Sequence, residues 1–383
     1  MYTLINDDCL NALNTFDDNH FHSLICDPPY GLSEITLKNT QDALRSWLND
    51  QEYESKKKGF DNHKWDSFVP SPKIWKQVLR VMREGALGLV FSSTRNIDLM
   101  GISLRLSGFE VIDSFVWLFG GGNGINGLNI GKGGKKQGES QEFIDQWAGF
   151  KTKLKTSHEP ILVIRKPIKT ASNYVENIKL NSTGAFNEKD CLIGGYEGFK
   201  GRKPTNVLID ESVKDILDSQ SGYVGSHGDK TTVKLKKTER VCFGAMSMNL
   251  EHKGDKRKYG GASKFFYCSK ASRREKELGL TSGSRDQWRG NSHPTVKPLD
   301  LMDYLCKLIT PPAGLILDPF MGSGSTGCSS QRTGFDFVGI ELEKEYYEIA
   351  QKRLKYWSQF GVSEQNPPSK DQETKESIQL KLF

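Results

Sequence analysis

Short apolar runs alternate with segments of helical periodicity along both ends of this chain, and this alternation limits the folds that it can adopt. Before residue 170, we predict strands at 2–5, 23–26, 86–91, 111–119 and 161–164, and helices at 72–83 and 96–106. After residue 260, we predict strands at 264–268, 314–317 and 335–340, and helices at 299–309, 324–332 and 344–357. Alternating units of this kind predict an α/β fold in which helices cover both faces of a largely parallel sheet.

The middle of the chain, from about residue 170 to 259, lacks this pattern and is polar, basic and rich in turn residues. We therefore predict that residues 1–169 and 262–360 are two halves of one α/β domain and that residues 170–261 form a module inserted between them. Residues 361–383 are predicted to be a disordered polar tail, and residues 33–66 and 120–138 to be mobile loops.

Positive charge is concentrated in the middle third of the sequence. Residues 151–275 contain 25 Lys and Arg against 14 Asp and Glu, a net +11, whereas residues 1–150 (15 against 19) and 276–383 (13 against 14) are slightly acidic. A basic segment between acidic ones is typical of a module that binds a polyanion, and a solvated basic face is the alternative. The clusters that we predict to contact such a polyanion are Lys234, Lys236, Lys237 and Arg240, and Lys253, Lys256, Arg257 and Lys258.

Composition argues against several other classes of protein. The seven cysteines are scattered singly without a C-x-x-C pair, so neither a disulfide framework nor a zinc site is predicted, and we predict no metal. The chain has no run of eighteen apolar residues and no basic segment followed by an apolar one at its start. We therefore predict a cytoplasmic protein without a membrane partner.

The first group of residues with chemical potential is Asp27, Pro28, Pro29 and Tyr30, directly after the predicted strand 23–26. Ligands of open α/β sheets bind at the carboxyl ends of the strands. The prolines fix an extended turn and leave the Pro28 carbonyl free to accept a hydrogen bond, while Asp27 supplies a second acceptor and Tyr30 a flat ring. Two acceptors and a stacking ring suit the exocyclic amine of a planar base. A purely structural proline turn is the alternative.

The second group runs from Asp318 to Thr326 between the predicted strand 314–317 and the helix that follows it. Glycines at such a turn let the backbone approach a ligand closely, and the segment lacks the G-x-x-x-x-G-K-[ST] pattern of a phosphate loop. Glu341, at the end of the next strand, suits a pair of ribose hydroxyls. A glycine turn that merely closes a helix is the alternative for the loop alone.

The third group is His293-Pro294-Thr295-Val296-Lys297-Pro298, which precedes the predicted helix 299–309. Thr295 and Lys297 are suited to hold a carboxylate. Taken alone, the segment favours a plain entry to a helix.

Together the three groups resemble the amino-methyltransferases of DNA, the N6-adenine/N4-cytosine family. Residues 27–30 match its D-P-P-Y catalytic motif, residues 320–324 its F-x-G-x-G cofactor loop, and residues 293–298 its H-P-T-x-K-P segment at the methionine end of the cofactor. Asp8 matches an aspartate that faces the adenine of the cofactor, although Asp7 stands where the family usually has glycine. Residues 58–66 resemble a mobile loop of phage and prophage members. The resemblance covers roughly residues 1–168 and 262–357.

The catalytic motif precedes the cofactor loop, which is the beta order of this family, with a recognition module between the two. The resemblance therefore implies a Rossmann-like, S-adenosylmethionine-dependent methyltransferase sheet, permuted in sequence, with a basic recognition module inserted. The implied catalytic residues are Asp27, Pro28, Pro29 and Tyr30. The implied cofactor-binding residues are Asp8, His293, Thr295, Lys297, Asp318, Pro319, Phe320, Gly322, Ser323, Gly324, Ser325, Thr326 and Glu341.

The implied activity is methylation of N6 of adenine at specific sites in double-stranded DNA, with the base flipped out of the duplex and no covalent enzyme intermediate. The D-P-P-Y motif favours adenine without excluding N4 of cytosine, and an RNA methyltransferase is a further alternative. An inactive DNA-binding protein is disfavoured because both Asp27 and the Gly322-x-Gly324 loop are intact. The recognition sequence, a homodimer and a partner nuclease of a restriction–modification system are left open.

Overall fold

A computed structural model of the chain describes residues 1–33, 35–55, 59, 65–120, 127–194, 200–221, 262–269, 276–280, 291–293 and 296–360. Strands and helices alternate over these residues, which confirms the predicted α/β class. None of the helices in these ranges is long and apolar enough to cross a membrane.

The described strands form one mixed sheet. They are β1 Tyr2–Asn6, β2 Phe21–Cys26, β3 Met82–Phe91, β4 Glu110–Leu118, β5 His158–Arg165, β6 Val207–Asp210, β7 Tyr267–Ser269, β8 Leu315–Asp318 and β9 Asp336–Glu341. Their order in space is β1-β9-β8-β2-β3-β5-β4-β6-β7. The two pairings of β5 are antiparallel and the other six are parallel, which confirms a largely parallel sheet.

Helices connect most of these strands. The described helices are α1 Cys9–Leu13, α2 Leu37–Leu48, α3 Pro72–Val81, α4 Ile97–Leu106, α5 Ile130–Gln137, α6 Gln141–Gln146, α7 Tyr174–Asn181, α8 Glu211–Ser221, α9 Leu299–Ile309, α10 Ser325–Thr333 and α11 Lys344–Trp357.

The sheet is covered on both faces. Along β3, Val90 packs in one hydrophobic cluster with Trp75 of α3, whereas its neighbour Leu89 packs in another with Leu305 of α9 and Leu354 of α11. Successive side chains of a strand point to opposite faces, so a strand covered on both faces must be apolar throughout. This is why the central strands are visible in the sequence as unbroken apolar runs.

Strands from the two ends of the chain are neighbours in the sheet. β8 lies between β9 and β2, with Leu317 opposite both Val338 and Leu24, and β1 pairs with β9, with Asn6 opposite Glu341. Because these four strands are parallel, their carboxyl ends lie along one edge of the sheet. The residues that follow them, which carry the predicted motifs, therefore meet at that edge.

β5 brings a further segment to the same edge because it runs in the opposite direction. Phe91, the last residue of β3, lies opposite Ile161 of β5. The first residues of β5, including Glu159, therefore lie beyond the carboxyl end of β3.

Several predicted boundaries are wrong. Helix α3 ends at Val81, because Met82 is extended and pairs with Phe21 of β2. The predicted strand 264–268 begins instead as a 3-10 turn, Ala262–Phe265, before β7.

The two predicted mobile loops are also wrong in part, because they contain helices with capped starts. The side chain of Thr36 caps α2 and that of Asn129 caps α5. The segment 170–261 contains α7, β6 and α8, and β6 joins the main sheet with Leu208 opposite Trp117 of β4. The predicted tail 361–383 lies outside the described residues.

Candidate active site

The turn that follows β2 is fixed by two side chains from elsewhere in the chain. The Asp66 carboxylate accepts hydrogen bonds from the backbone N–H groups of Tyr30 (2.8 Å), Gly31 (3.0 Å) and Leu32 (3.2 Å). The Asn96 amide donates to the carbonyls of Tyr30 (2.7 Å) and Gly31 (2.8 Å). Donors and acceptors of the turn are thus satisfied by protein groups, and the turn is held in one conformation.

Asp27 and Tyr30 belong to a cluster of four polar side chains at the sheet edge. The Lys297 ammonium donates to Asp27 Oδ2 (2.6 Å), Glu159 Oε1 (3.1 Å) and the Tyr30 hydroxyl oxygen (3.2 Å). The Tyr30 hydroxyl is in hydrogen-bond contact with the carboxylates of both Asp27 and Glu159. The side chains of Lys297, Glu159 and Asp27 are only 7%, 15% and 20% exposed.

Burial and mutual charge set the protonation of this cluster. Burial raises the pKa of the Tyr30 hydroxyl and the charges of Asp27 and Glu159 raise it further, so the hydroxyl stays neutral. Burial also raises the pKa of Glu159, against the effect of Lys297. Burial opposes the charged form of Lys297, but the two carboxylates outweigh it and raise the pKa of the ammonium, which therefore stays protonated.

The loop after β8 lies beside this cluster because β8 pairs with β2. Asp318 Oδ1 accepts the N–H of Phe320 (3.1 Å), and Glu341 Oε2 accepts the N–H of Gly322 (2.7 Å). Gly322 (φ +54°) and Gly324 (φ +79°) both adopt the left-handed conformation that favours glycine. The two acids at the ends of β8 and β9 thus fix the conformation of the turn by accepting hydrogen bonds from its backbone.

Both glycines are also required by packing against the protein itself. A Cβ at Gly322 would lie 2.6 Å from His293 Nε2, and one at Gly324 would lie 2.7 Å from Leu354 Cδ1 and 3.0 Å from Ala350 Cβ. The lack of a side chain at Gly322 therefore lets the loop backbone pack against His293, and the lack of one at Gly324 lets it pack against α11.

Arg353 of α11 is fully buried beneath the loop. Its Nη1 donates to the Ser323 carbonyl (2.6 Å), to Ser323 Oγ (3.0 Å) and to Ser325 Oγ (3.4 Å). Within the described ranges its Nε and Nη2 have no hydrogen-bond partner. Arg353 therefore ties the loop to α11 through one of its two terminal nitrogens.

The acids predicted to face the cofactor lie along the same edge. Burial raises the pKa of Asp318 to about 7 and also raises the pKa of Glu341. Both Glu341 oxygens are engaged, Oε2 with Gly322 and Oε1 with the N–H of Glu343 (2.8 Å). Asp8 caps α1 by accepting the N–H of Leu10 (2.9 Å).

The remaining predicted residues are distributed as follows. His293 packs its ring edge-on against Tyr346, with ring centroids 4.6 Å apart, and burial lowers its pKa to about 4, so it is neutral near pH 7. Pro28, Pro319, Ser323, Ser325 and Thr326 are buried, and Pro29 and Phe320 are half-buried. Thr295 and both basic clusters between residues 234 and 258 lie outside the described residues. Among the residues that are described, no group of acids, histidines and cysteines has the arrangement of a metal site.

Sequence reasoning missed four residues of this site: Asp66, Asn96, Glu159 and Arg353. Glu159 precedes a predicted strand by two positions, but only the antiparallel direction of β5 brings it to the catalytic edge. Lys297, which was predicted at the methionine end of the cofactor, is paired with Asp27 and Glu159. The sequence offers one signal for Glu159: the apolar run 160–164 has a charged residue directly before it, Glu159, and one directly after it, Arg165.

The chain is similar in sequence to known DNA methyltransferases. The family model for N6/N4 DNA methylases matches residues 21–352. The type II methyltransferase M.HindIII of Haemophilus influenzae is 23% identical over 367 residues, which are 92% of this chain and 94% of that protein. M2.LlaDCHI of Lactococcus lactis subsp. cremoris is 40% identical over 84 residues, and this match spans 22% of the chain and only 31% of the relative. The solved PvuII DNA methyltransferase, described as cytosine-N4-specific, is 12% identical with a TM-score of 0.45, over 98% of this chain and 90% of that one.

Proposed function

The chain belongs to the N6/N4 DNA methylase family, and from this premise we propose that it transfers a methyl group from S-adenosylmethionine to N6 of adenine in double-stranded DNA. One observation carries the proposal. The Asp27–Tyr30 turn and the Gly322–Gly324 loop follow the paired strands β2 and β8, so an amine held by the turn lies beside a ligand held by the loop.

The residues along this edge fit S-adenosylmethionine, which supplies a methyl group activated by a positive sulfur. Each Glu341 oxygen accepts one backbone N–H and keeps a lone pair with which it can accept a ribose hydroxyl. Asp8 lies two residues beyond Asn6, the partner of Glu341, and would hold the adenosine end. Asp318 and the backbone of the glycine loop would hold the methionine end.

The buried position of Asp27 explains why the target base must leave the duplex. A base that is stacked and paired inside DNA cannot reach a carboxylate that is mostly buried at a sheet edge. The Pro28 carbonyl and the Asp27 carboxylate are the two acceptors that orient the amine of the flipped base, and the Tyr30 ring is the surface against which it stacks. Catalysis then rests on positioning, and no side chain needs to form a covalent bond with the base.

Adenine is preferred to cytosine because Asp, rather than another residue, begins the Pro-Pro-Tyr turn, and this is what the D-P-P-Y resemblance favours. N4 of cytosine presents the same kind of amine and is the second candidate. The proposal is tested by incubating the protein with labelled S-adenosylmethionine and plasmid DNA, digesting the product to nucleosides and identifying the methylated base. N6-methyladenine supports the proposal, N4-methylcytosine replaces it with the second candidate, and label only in an added RNA overturns both.

The role of Asp27 has its own test. Asp27→Ala should abolish turnover and leave the dissociation constant of S-adenosylmethionine within about twofold of the wild type, because the loop that binds it is untouched. Asp17→Ala, at an exposed position, is the control. More than a few per cent of wild-type turnover in Asp27→Ala would contradict the assignment.

A further inference from the structure

Glu159 has had no part in the proposed chemistry so far, although it contacts Lys297 and Tyr30 of the catalytic cluster. Its Oε1 accepts from Lys297 (3.1 Å) and is in hydrogen-bond contact with the Tyr30 hydroxyl. The Lys297 ammonium also lies over the ring of Phe91, 4.9 Å from its centroid. Over the described residues, the hydrogen bonds that link Glu159 to Asp27 therefore run through Lys297 and Tyr30.

In the structure, both oxygens of Asp27 already have a hydrogen-bond partner. Asp27 Oδ2 accepts the ammonium at 2.6 Å, and Asp27 Oδ1 is in contact with the Tyr30 hydroxyl. A base amine that donates to Asp27 must therefore share one of these oxygens, and sharing Oδ2 weakens its bond to the ammonium. A buried ammonium that loses its only carboxylate is strongly destabilised, but one with a second carboxylate beside it is not.

The charges of the cluster also bear on the reaction. Counted as formal charges, Asp27 and Glu159 contribute −1 each, Lys297 contributes +1 and the Tyr30 hydroxyl contributes 0, so the cluster has a formal charge of −1. During transfer, the amine nitrogen forms a bond to the methyl carbon while the carbon–sulfur bond breaks and its electron pair stays on sulfur. The positive charge thus moves from sulfur to nitrogen, and the nitrogen then loses a proton to a carboxylate. A net charge of −1 stabilises positive charge that develops beside it.

We propose that Glu159 is a positioning residue of the methyl transfer: it retains Lys297 when the target amine binds Asp27, and it keeps the catalytic cluster at a net charge of −1. This inference rests on the proposed function, since it concerns the same amine. It assigns Lys297 to the catalytic cluster rather than to the carboxylate of the cofactor.

A charge cycle tests the inference by changing the formal charge of the cluster one side chain at a time. Glu159→Gln changes the cluster charge to 0, Lys297→Met changes it to −2, and the double variant returns it to −1. The single-turnover rate of methylation should fall roughly a hundredfold in Glu159→Gln, a loss typical of a misplaced catalytic group. The double variant should react faster than Glu159→Gln, because it lacks the ammonium that would otherwise compete for Asp27.

Three controls separate this role from a structural one. Glu110→Gln, which removes a half-buried carboxylate from the Arg165 ion pair at the other end of the sheet, should leave the rate unchanged. The melting temperature and the dissociation constant of S-adenosylmethionine are measured for every variant, and both should stay near wild type for Glu159→Gln. If Lys297→Met does not fold, Lys297→Gln takes its place in the cycle.

The outcomes distinguish this inference from the proposed function. A Glu159→Gln rate equal to that of Glu110→Gln overturns the inference while the methylation by the wild type still stands. A double variant that is no faster than Glu159→Gln also overturns it, because removal of the ammonium would then not relieve any competition for Asp27. A wild type that methylates no DNA base overturns the proposed function itself.

Discussion

Replacing Asp66 by asparagine should loosen the catalytic turn and destabilise the protein. The carboxylate accepts three backbone N–H groups, two on Oδ1 and one on Oδ2. The asparagine side chain would keep one acceptor oxygen, so two bonds would change from charged to neutral and the third N–H would face an NH2 group. The aspartate is buried, so water cannot replace the lost acceptor.

The size of the effect follows from these contacts. A hydrogen bond to a charged group is worth about 1.5–3 kcal/mol and a neutral one about 0.5–1.5 kcal/mol, so two weakened bonds cost roughly 2 kcal/mol. The N–H of the half-buried Leu32 would lose its acceptor, which costs about 1–3 kcal/mol more. The free energy of unfolding should therefore fall by about 3–5 kcal/mol, which most proteins of this kind survive as a folded state.

Urea denaturation at neutral pH measures the stability, and a single-turnover assay measures the methylation rate. We expect a rate at least about tenfold lower, because Tyr30 is no longer held in place, with a nearly unchanged affinity for S-adenosylmethionine. Asp17→Asn at an exposed position is the matched control. If Asp66→Asn differs from this control by less than about 0.5 kcal/mol, the surface-mutation range, the reasoning is refuted.

Three further predictions follow from the loop, the sheet edge and the basic segment. Gly324→Val should lower the melting temperature and not only the affinity for S-adenosylmethionine, because its Cβ would lie 2.7 Å from Leu354 Cδ1 at a φ of +79°; weaker binding at an unchanged melting temperature would contradict this. The pKa of Asp318 is raised by burial from 3.8 to about 7, so the folded state binds this proton more tightly than the unfolded state. Its contribution to stability is present below about pH 4 and is lost, by about 4 kcal/mol, as the pH rises to about 7. Urea titrations of Asp318→Asn should lack this loss relative to the wild type, and an identical pH slope would show that the carboxyl is not buried as described. Neutralising the basic cluster of Lys234, Lys236, Lys237 and Arg240 should weaken binding to all DNA sequences alike and reduce the salt dependence of binding, as measured by fluorescence anisotropy. An unchanged salt dependence would show that this cluster does not contact DNA.

The parts of the fold that the sequence predicts well are those whose pattern is set by burial. Helices Leu299–Ile309 and Lys344–Trp357 have the predicted bounds, because one face of each is continuously apolar and packs on the sheet. Helix α2 was missed because most of its residues are polar, and its buried residues, Ala43 and Trp47, are too few to give a clear hydrophobic periodicity. Its start is decided by the Thr36 capping box, a local hydrogen-bond pattern that hydrophobic periodicity does not report.

Some residues of the candidate site could be predicted from the sequence and others could not. Asp27, Tyr30 and Gly322 could be named because each lies in a contiguous motif. Asp66 and Glu159 act on those residues from 36 and 129 positions away, as measured from Tyr30. Such contacts depend on how the strands are ordered and directed, which a single sequence does not report.

The pairing of β1 with β9 has a consequence for how the protein is made. Tyr2 lies opposite Phe337, so β1 leaves the ribosome 335 residues before its partner is synthesised. Until β8 emerges at Leu315–Asp318, β2 also keeps one edge open. Contacts this distant in sequence slow folding, and unpaired strand edges attract other chains. The nascent N-terminal half is therefore the stage at which aggregation competes with folding, and co-expressed chaperones that shield this half should raise the yield of folded enzyme.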